Sequence, residues 1–244
     1  MDLNNFELLV GSLLTGASSY TLCSNIKKYM SEVRKQKLES YTLLPHQICI
    51  GYNDDNGYKE PIIVDFKYNP HMLVCGLSQQ GKSKMVEYAL QDKNVILINT
   101  FNKDYTSLKH VIERTNNTNE IVKLFEYLLS LKESESNECI YIVIDELLAL
   151  SLANDKTIQP LITRLLAISA HMNIYVIGIT QSCEKELIKN KHLFNTRVCF
   201  RMLDDSCYKV ALGYSPNREE ITQLCNRQFF YYSNNSGIGY TYDL

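Results

Sequence analysis

Residues His71 to Lys84, HMLVCGLSQQGKSK, decide how the rest of the chain is read. Met72–Cys75 is a short apolar run suited to a buried strand. Gly76–Ser83 then matches G-x-x-x-x-G-K-[ST] in full, and a helix is expected from about Ser83 to Gln91. The pattern alone occurs in unrelated proteins. Placed between a strand and a helix, it has the context that a phosphate cradle needs. Glycine lets the backbone wrap closely around an anion, while amide N–H groups and the helix N-terminus point at it. Lys82 is then the cation for β- and γ-phosphates, and Ser83 offers its hydroxyl to Mg²⁺. Gly76, Leu77, Ser78, Gln79, Gln80, Gly81, Lys82, Ser83 and Lys84 form the expected ATP-binding set.

Outward from this loop, strands and helices alternate. Apolar runs at 94–99 (NVILIN), 139–145 (CIYIVID), 174–180 (IYVIGIT) and 197–202 (RVCFRM) read as strands. Helical stretches fall at 119–132, 157–171 and about 216–226. Such alternation predicts an α/β fold, a mainly parallel sheet with helices on both faces. Together with the phosphate-loop pattern it resembles the RecA-like, additional-strand P-loop NTPases. Two hairpins flank it. ICIGY and PIIVDF, joined by the turn signal NDDNG, make one over 47–66. QFFYYSNNSGIGYTYDL makes the other at the C-terminus. The expected division is a helical N-terminal appendage at 1–45 and a P-loop ATPase domain at 46–244.

The strand CIYIVID ends in two carboxylates. Asp145 is the expected Mg²⁺ residue, acting through water, and Glu146 the group that orients and deprotonates the attacking water. In additional-strand ATPases the strand IYVIGIT lies between the phosphate-loop strand and the acidic strand. Gln181, just after it, would then face the γ-phosphate and relay hydrolysis to movement. Arg197 is the first candidate for an arginine finger reaching a neighbouring subunit, Arg201 the second, with Arg164 in the preceding helix. Surface or interface ion pairing would account for any one of them equally well. Two basic loops, one with Lys185, Lys189, Lys191 and His192 and the other with Lys103, Tyr105 and Lys109, can line a pore or be a solvated face.

Composition bounds the rest. The chain has 244 residues, 45% hydrophobic, a net charge of -2 and a pI of about 6.2. A passive nucleic-acid coat would be strongly basic, so any DNA contact must come from local patches. The eight cysteines form no CxxC pair and several sit in apolar runs, which suits reduced core residues rather than a disulfide framework or a zinc site. Residues 6–23 are mostly apolar or small and are followed by Lys27, Lys28, Arg34, Lys35 and Lys37. That arrangement fits either a short membrane anchor, basic side cytoplasmic, or an amphipathic helix docked on the core or a neighbour. A cleaved signal peptide would carry its basic residues before the apolar run.

With these residues in place, the chain resembles the FtsK/SpoIIIE branch of the FtsK–HerA superfamily from about Gly51 to Tyr231. Gly51, Gly57, Pro61 and Asp65 fit that family's hairpin, and Pro70–His71 its approach to the phosphate loop. IDELLAL (144–150), NIYVIGITQ (173–181) and NTRVCFRM (195–202) are similar to its acidic motif, sensor strand and arginine-bearing strand. Departures fall at Asn99 or Asn102, Ala170 and Ser182, where the family often has an acidic residue and two arginines. The resemblance implies an ATP-driven translocase of double-stranded DNA, usually a hexameric ring, in a mobile element or virus. DNA transfer, coupling or packaging would be its task, with a relaxase, replication protein or capsid as partner. Localisation would be cytoplasmic, or at the membrane through 6–23. No winged helix follows before Leu244, so reading of short DNA signals is not expected. The alternative is an ATP-binding adaptor with little hydrolysis. A metabolic kinase would need a lid and an acceptor pocket, for which there is no signal.

Overall fold

Strands made of uninterrupted apolar runs must be covered on both faces. Those at the centre of this chain are. The computed structural model describes residues 42–55, 58–131, 138–153, 156–183 and 190–242. The chain divides into two compact units, Met1–Thr42 and Leu43–Leu244, and all described residues except Thr42 belong to the second. The expected N-terminal appendage, up to residue 41, and the apolar stretch 6–23 lie outside the described residues. Among those described, no helix is long and apolar enough to cross a membrane.

The strands are β1 (Gln47–Asp55), β2 (Tyr58–Asp65), β3 (Met72–Cys75), β4 (Asn94–Ile98), β5 (His110–Thr115), β6 (Ile140–Ile144), β7 (Ile174–Thr180), β8 (Thr196–Cys199), β9 (Gln228–Tyr232) and β10 (Ser236–Tyr240). The described helices are α1 (Lys82–Ala89), α2 (Thr118–Ser130), α3 (Leu147–Ala153), α4 (Ile158–Ile168), α5 (Asp205–Leu212) and α6 (Arg218–Gln223). All ten strands join one sheet in the order β2-β1-β10-β9-β8-β3-β7-β6-β4-β5. From β5 to β8 every pairing is parallel, and from β8 to β2 every pairing is antiparallel. The expected core order is present, with β7 between β3 and β6.

The alternation of side chains sorts the core into two layers. Leu73, Cys75, Ile142 and Ile144 pack with Phe125 of α2, Leu147 of α3, Ile162 and Leu165 of α4 and Tyr208 of α5. Met72, Val74, Tyr141 and Val143 belong to the opposite layer with Met85 and Val86 of α1. Each large apolar side chain buried this way contributes roughly 1.5–3 kcal/mol. Helix α2 is capped by Asn117, whose side chain accepts the Asn119 N–H at 2.9 Å. Such a cap typically contributes about 1 kcal/mol.

Four features differ from the sequence expectation. Strand β5 was not anticipated because most of it is solvent-exposed on the sheet edge, which removes the apolar signal. Helices α3 and α5 also went unread: α3 follows directly on the acidic motif within a single apolar run. The expected strand 197–202 ends at Cys199, although Phe200 N–H still bonds the Cys75 carbonyl at 2.8 Å. The hairpin strands pair as far as Asp55 and Tyr58, deeper into NDDNG than expected, and Asn56 and Gly57 lie outside the described residues.

His71 fixes the entry to β3. It is fully buried in a left-handed conformation, φ 64°, and its Nδ1 accepts the Val176 N–H of β7 at 3.0 Å. Burial lowers its pKa to about 4, so the ring stays neutral with its proton on Nε2. Phe66, at the end of the first hairpin, packs against Tyr141 and Tyr175 with ring centroids 5.4 and 5.2 Å away. That contact anchors the antiparallel part of the sheet to the parallel part.

Candidate active site

The C-terminal ends of β3, β6 and β7 lie side by side, so the loops after them converge on one edge. In open parallel sheets this is the edge where ligands bind. Residues 76–83 are stitched into it from the start: Gly76 N–H bonds the Thr180 carbonyl at 3.3 Å and Leu77 N–H the Arg201 carbonyl at 3.0 Å. Gly76 has φ 151°, and a Cβ there would lie 2.5 Å from Phe200 Cβ. Only glycine fits. The loop then passes through Gln79 and Gly81, at φ 61° and 105°, before α1 begins at Lys82.

Lys82 folds back over its own loop. Its Nζ donates to the carbonyls of Gly76 and Leu77, each at 2.8 Å, and the residue is only 8% exposed. Burial lowers its pKa, against the opposing pull of Glu146 and Asp145. The ammonium is therefore held where an arriving polyphosphate can exchange two carbonyl contacts for its own oxygens.

Asp145 and Glu146 face different neighbours. Asp145 Oδ2 accepts the Tyr105 hydroxyl at 3.1 Å and lies 3.5 Å from Ser83 Oγ. Burial raises its pKa, while the Tyr105 hydrogen bond and Lys82 act against that. Glu146 sits at φ 57°, a left-handed conformation that turns the chain sharply between β6 and α3. Its Oε1 lies 3.3 Å from the Thr180 hydroxyl and 3.5 Å from the Gln181 N–H. Gln181 Oε1 in turn accepts the Ser78 hydroxyl at 2.7 Å, which ties the end of β7 to the phosphate loop. Lys82, Ser83, Asp145, Glu146 and Gln181 are thus brought together. Ser83 with Asp145 offers one hydroxyl and one carboxylate, the sparse oxygen set that suits Mg²⁺ completed by phosphate and water.

Tyr105 is not the pore-lining residue that its basic neighbours suggest: it is buried at φ 59° with its hydroxyl on Asp145. The loop that carries it is pinned to α1, because Ser107 N–H and Oγ both donate to buried Glu87 at 2.8 Å. Lys84, expected in the ATP-binding set, pairs with the same Glu87 at 2.8 Å. Lys109 pairs with Asp92 at 2.7 Å on the surface, and Lys103 is exposed. Asn99 donates to the Asp145 carbonyl at 3.0 Å, so its amide shapes the acidic turn.

The arginines are not gathered at the site. Arg197 donates from Nε to its own Phe194 carbonyl at 3.2 Å and packs beside Gly213. Arg201 is exposed beside the phosphate loop through its backbone, and Arg164 is exposed on α4. Lys191 and His192 lie in a short 3-10 turn, while Lys185 and Lys189 are outside the described residues. Of the cysteines, Cys75, Cys139, Cys183 and Cys199 are buried.

Sequence reasoning missed one wall of the site. A cavity of about 380 Å³ opens beside the loop, with Gln79, Gly81, Lys82, Ser83 and Lys84 on one side. Asn226, Arg227, Thr241 and Tyr242 from the terminal hairpin form the other side. These four lie far from the motif along the chain and carry no local pattern of their own.

No protein-family model matches the sequence, and no curated protein matches it. Solved structures do. The pCW3 conjugation coupling protein TcpA, in a monomer form with ATPγS, is similar with a TM-score of 0.65 at 17% identity, over 82% of this chain and 67% of that one. The cytoplasmic domain of the type VII secretion ATPase EccC from Thermomonospora curvata gives 0.62 at 14%, over 81% of this chain and 28% of that one. The genome packaging NTPase B204 from Sulfolobus turreted icosahedral virus 2, in complex with AMPPCP, gives 0.54 at 14%, over 72% of this chain and 99% of that one. This chain thus spans about two thirds of the first, under a third of the second and nearly all of the third. The chain has the fold shared by this conjugation coupling protein, this secretion ATPase and this genome packaging NTPase.

Proposed function

We propose that this chain, on the fold shared with FtsK–HerA-type P-loop ATPases, is a Mg²⁺-dependent ATPase that drives DNA movement for a mobile element or virus. The observation that carries this reading is the convergence of Lys82, Ser83, Asp145, Glu146 and Gln181 on one sheet edge. The names of TcpA, a conjugation coupling protein, and B204, a genome packaging NTPase, support the task.

In this reading Lys82 releases the Gly76 and Leu77 carbonyls and takes up the β- and γ-phosphates of ATP. Ser83 and Asp145 would hold Mg²⁺, which when bound would supply positive charge to offset that of the phosphates. Tyr105 keeps the Asp145 carboxylate turned toward Ser83. Glu146, steadied by Thr180 and the Gln181 amide, orients the attacking water and accepts its proton. Gln181 exchanges its Ser78 contact for the γ-phosphate and so reports the nucleotide state to the end of β7. Arg197 acts on a neighbouring subunit of a ring, most simply a hexamer around double-stranded DNA. A relaxase, replication protein or capsid would be the further partner.

A second reading is an ATP-binding adaptor with little turnover. It is favoured by one observation: the Arg197 side chain is engaged with its own Phe194 carbonyl. Steady-state ATP hydrolysis with and without double-stranded DNA separates the two. The motor predicts stimulation by DNA that Lys82→Ala and Glu146→Gln both abolish. Tight ATP binding without turnover in either condition would favour the adaptor.

A further inference from the structure

The cavity beside the phosphate loop has two unlike walls, and a triphosphate needs only the one built from the loop and the first turn of α1. The other wall is made by the two ends of the terminal hairpin. Strand β9 runs antiparallel to β8, so its first residue arrives at the same sheet edge as the phosphate loop. Tyr240 pairs with Gln228, which brings the end of β10 to that edge too. Thr241 N–H closes the pair onto the Arg227 carbonyl at 3.0 Å.

Arg227 adopts φ 68° at this junction, and a Cβ added to Gly81 would lie 3.7 Å from its Cγ. The aliphatic part of the arginine therefore lies over the second glycine of the loop. Tyr242 is held in place before any ligand arrives. Its ring stacks on Tyr88 of α1 with centroids 4.6 Å apart and 27° between planes, and lies 5.2 Å from the ring of Tyr52 on β1. Cys49 Sγ donates to its hydroxyl at 3.6 Å. Asn226 and Thr241 add an amide and a hydroxyl to the same wall.

We propose that this hairpin edge is a nucleoside subsite: the base packs against Tyr242 and Arg227, and the sugar lies between them and the loop. The proposal rests on the reading that Gly76–Ser83 binds a triphosphate. Flat aromatic and guanidinium surfaces hold bases by stacking; the tyrosine ring offers nothing to a bare phosphate chain, whereas the guanidinium can also pair with phosphate. A ring already fixed by its neighbours loses little freedom on binding. The hairpin thereby makes the site selective for a nucleoside triphosphate over inorganic polyphosphate.

The test is titration calorimetry of the full chain, with Mg²⁺, against ATP and against inorganic tripolyphosphate. Wild-type protein should bind ATP the more tightly. Arg227→Ala and Tyr242→Ala should each weaken ATP by about tenfold and leave tripolyphosphate within about twofold. Arg227 is exposed, so its truncation leaves the core intact even where Tyr242→Ala disturbs the aromatic column. Equal binding of ATP and tripolyphosphate by the wild type would remove the subsite and leave the phosphate loop standing. So would equal weakening of both ligands by Arg227→Ala, which would make the arginine a phosphate ligand. Binding of neither ligand to wild-type protein would overturn the phosphate-loop reading and the subsite with it.

Discussion

The two halves of the sheet are built on different principles. The parallel half, β5 to β8, is a stack of short apolar strands covered on both faces, and its chemistry sits in the loops at one edge. The antiparallel half, β9 to β2, is two hairpins joined through β1 and β10, with close backbone contacts and a column of tyrosines. In the proposed reading the first half supplies groups for phosphate, metal and water. The second supplies a wall for whatever the phosphate is attached to. If the proposed ATPase is divided this way, its halves should be separable by mutation: chemistry lost without stability in one, and stability without chemistry in the other.

The sharpest break of that comparison comes from Glu146→Gln. Hydrolysis should fall by about a thousandfold, the scale of a lost general base, while the unfolding midpoint stays put. Turnover close to wild type would show that Glu146 is not the base. In the antiparallel half, Gly51→Ala should do the reverse. Gly51 has φ 152° and a Cβ there would lie 2.2 Å from the Tyr240 carbonyl oxygen. Urea unfolding should register a loss of about 3 kcal/mol as β1 and β10 separate. An unchanged midpoint would mean that the seam between the hairpins carries no stability.

His71 gives a comparable effect in the parallel half, but only across one pH window. Its folded pKa of about 4 lies below the ordinary 6.5, so the native state resists a proton that the unfolded chain accepts. That contribution is complete above pH 6.5, declines as pH falls toward 4, and amounts to about 3 kcal/mol. Unfolding free energy measured from pH 7 to pH 4 should therefore fall more steeply for wild type than for His71→Asn. Parallel pH curves would place the ring in water. The smallest effect is expected from Tyr105→Phe, which removes one hydroxyl from Asp145. Stability should drop by about 1 kcal/mol, and Mn²⁺ affinity in the presence of nucleotide, read by paramagnetic resonance, by roughly tenfold. Unaltered Mn²⁺ binding would reduce Tyr105 to a packing residue.

The parallel half was legible because its signals are local. A phosphate loop is contiguous, and its glycines, lysine and hydroxyl fall at fixed offsets. The apolar runs of β3, β4, β6 and β7 mark buried strands without reference to anything else. Edge strand β5 was not legible, because exposure on one side of the sheet removes the periodicity that identifies a strand. Tyr105 carried a misleading signal: beside Lys103 and Lys109 it resembles part of a basic surface loop. Only the pinning of Ser107 onto Glu87 turns it inward to Asp145.

By itself, then, the amino-acid sequence determined the α/β class, the buried central strands and the contiguous loop Gly76–Ser83, since each is written in neighbours within a few positions. Tertiary structure alone decided that the first and last hairpins share one sheet, that Arg227 and Tyr242 stand opposite the phosphate loop, and that Arg197 is turned onto its own chain. Those outcomes depend on contacts between segments far apart in the chain. Packing and backbone hydrogen bonding select such contacts only when the whole sheet closes, and no local pattern records them.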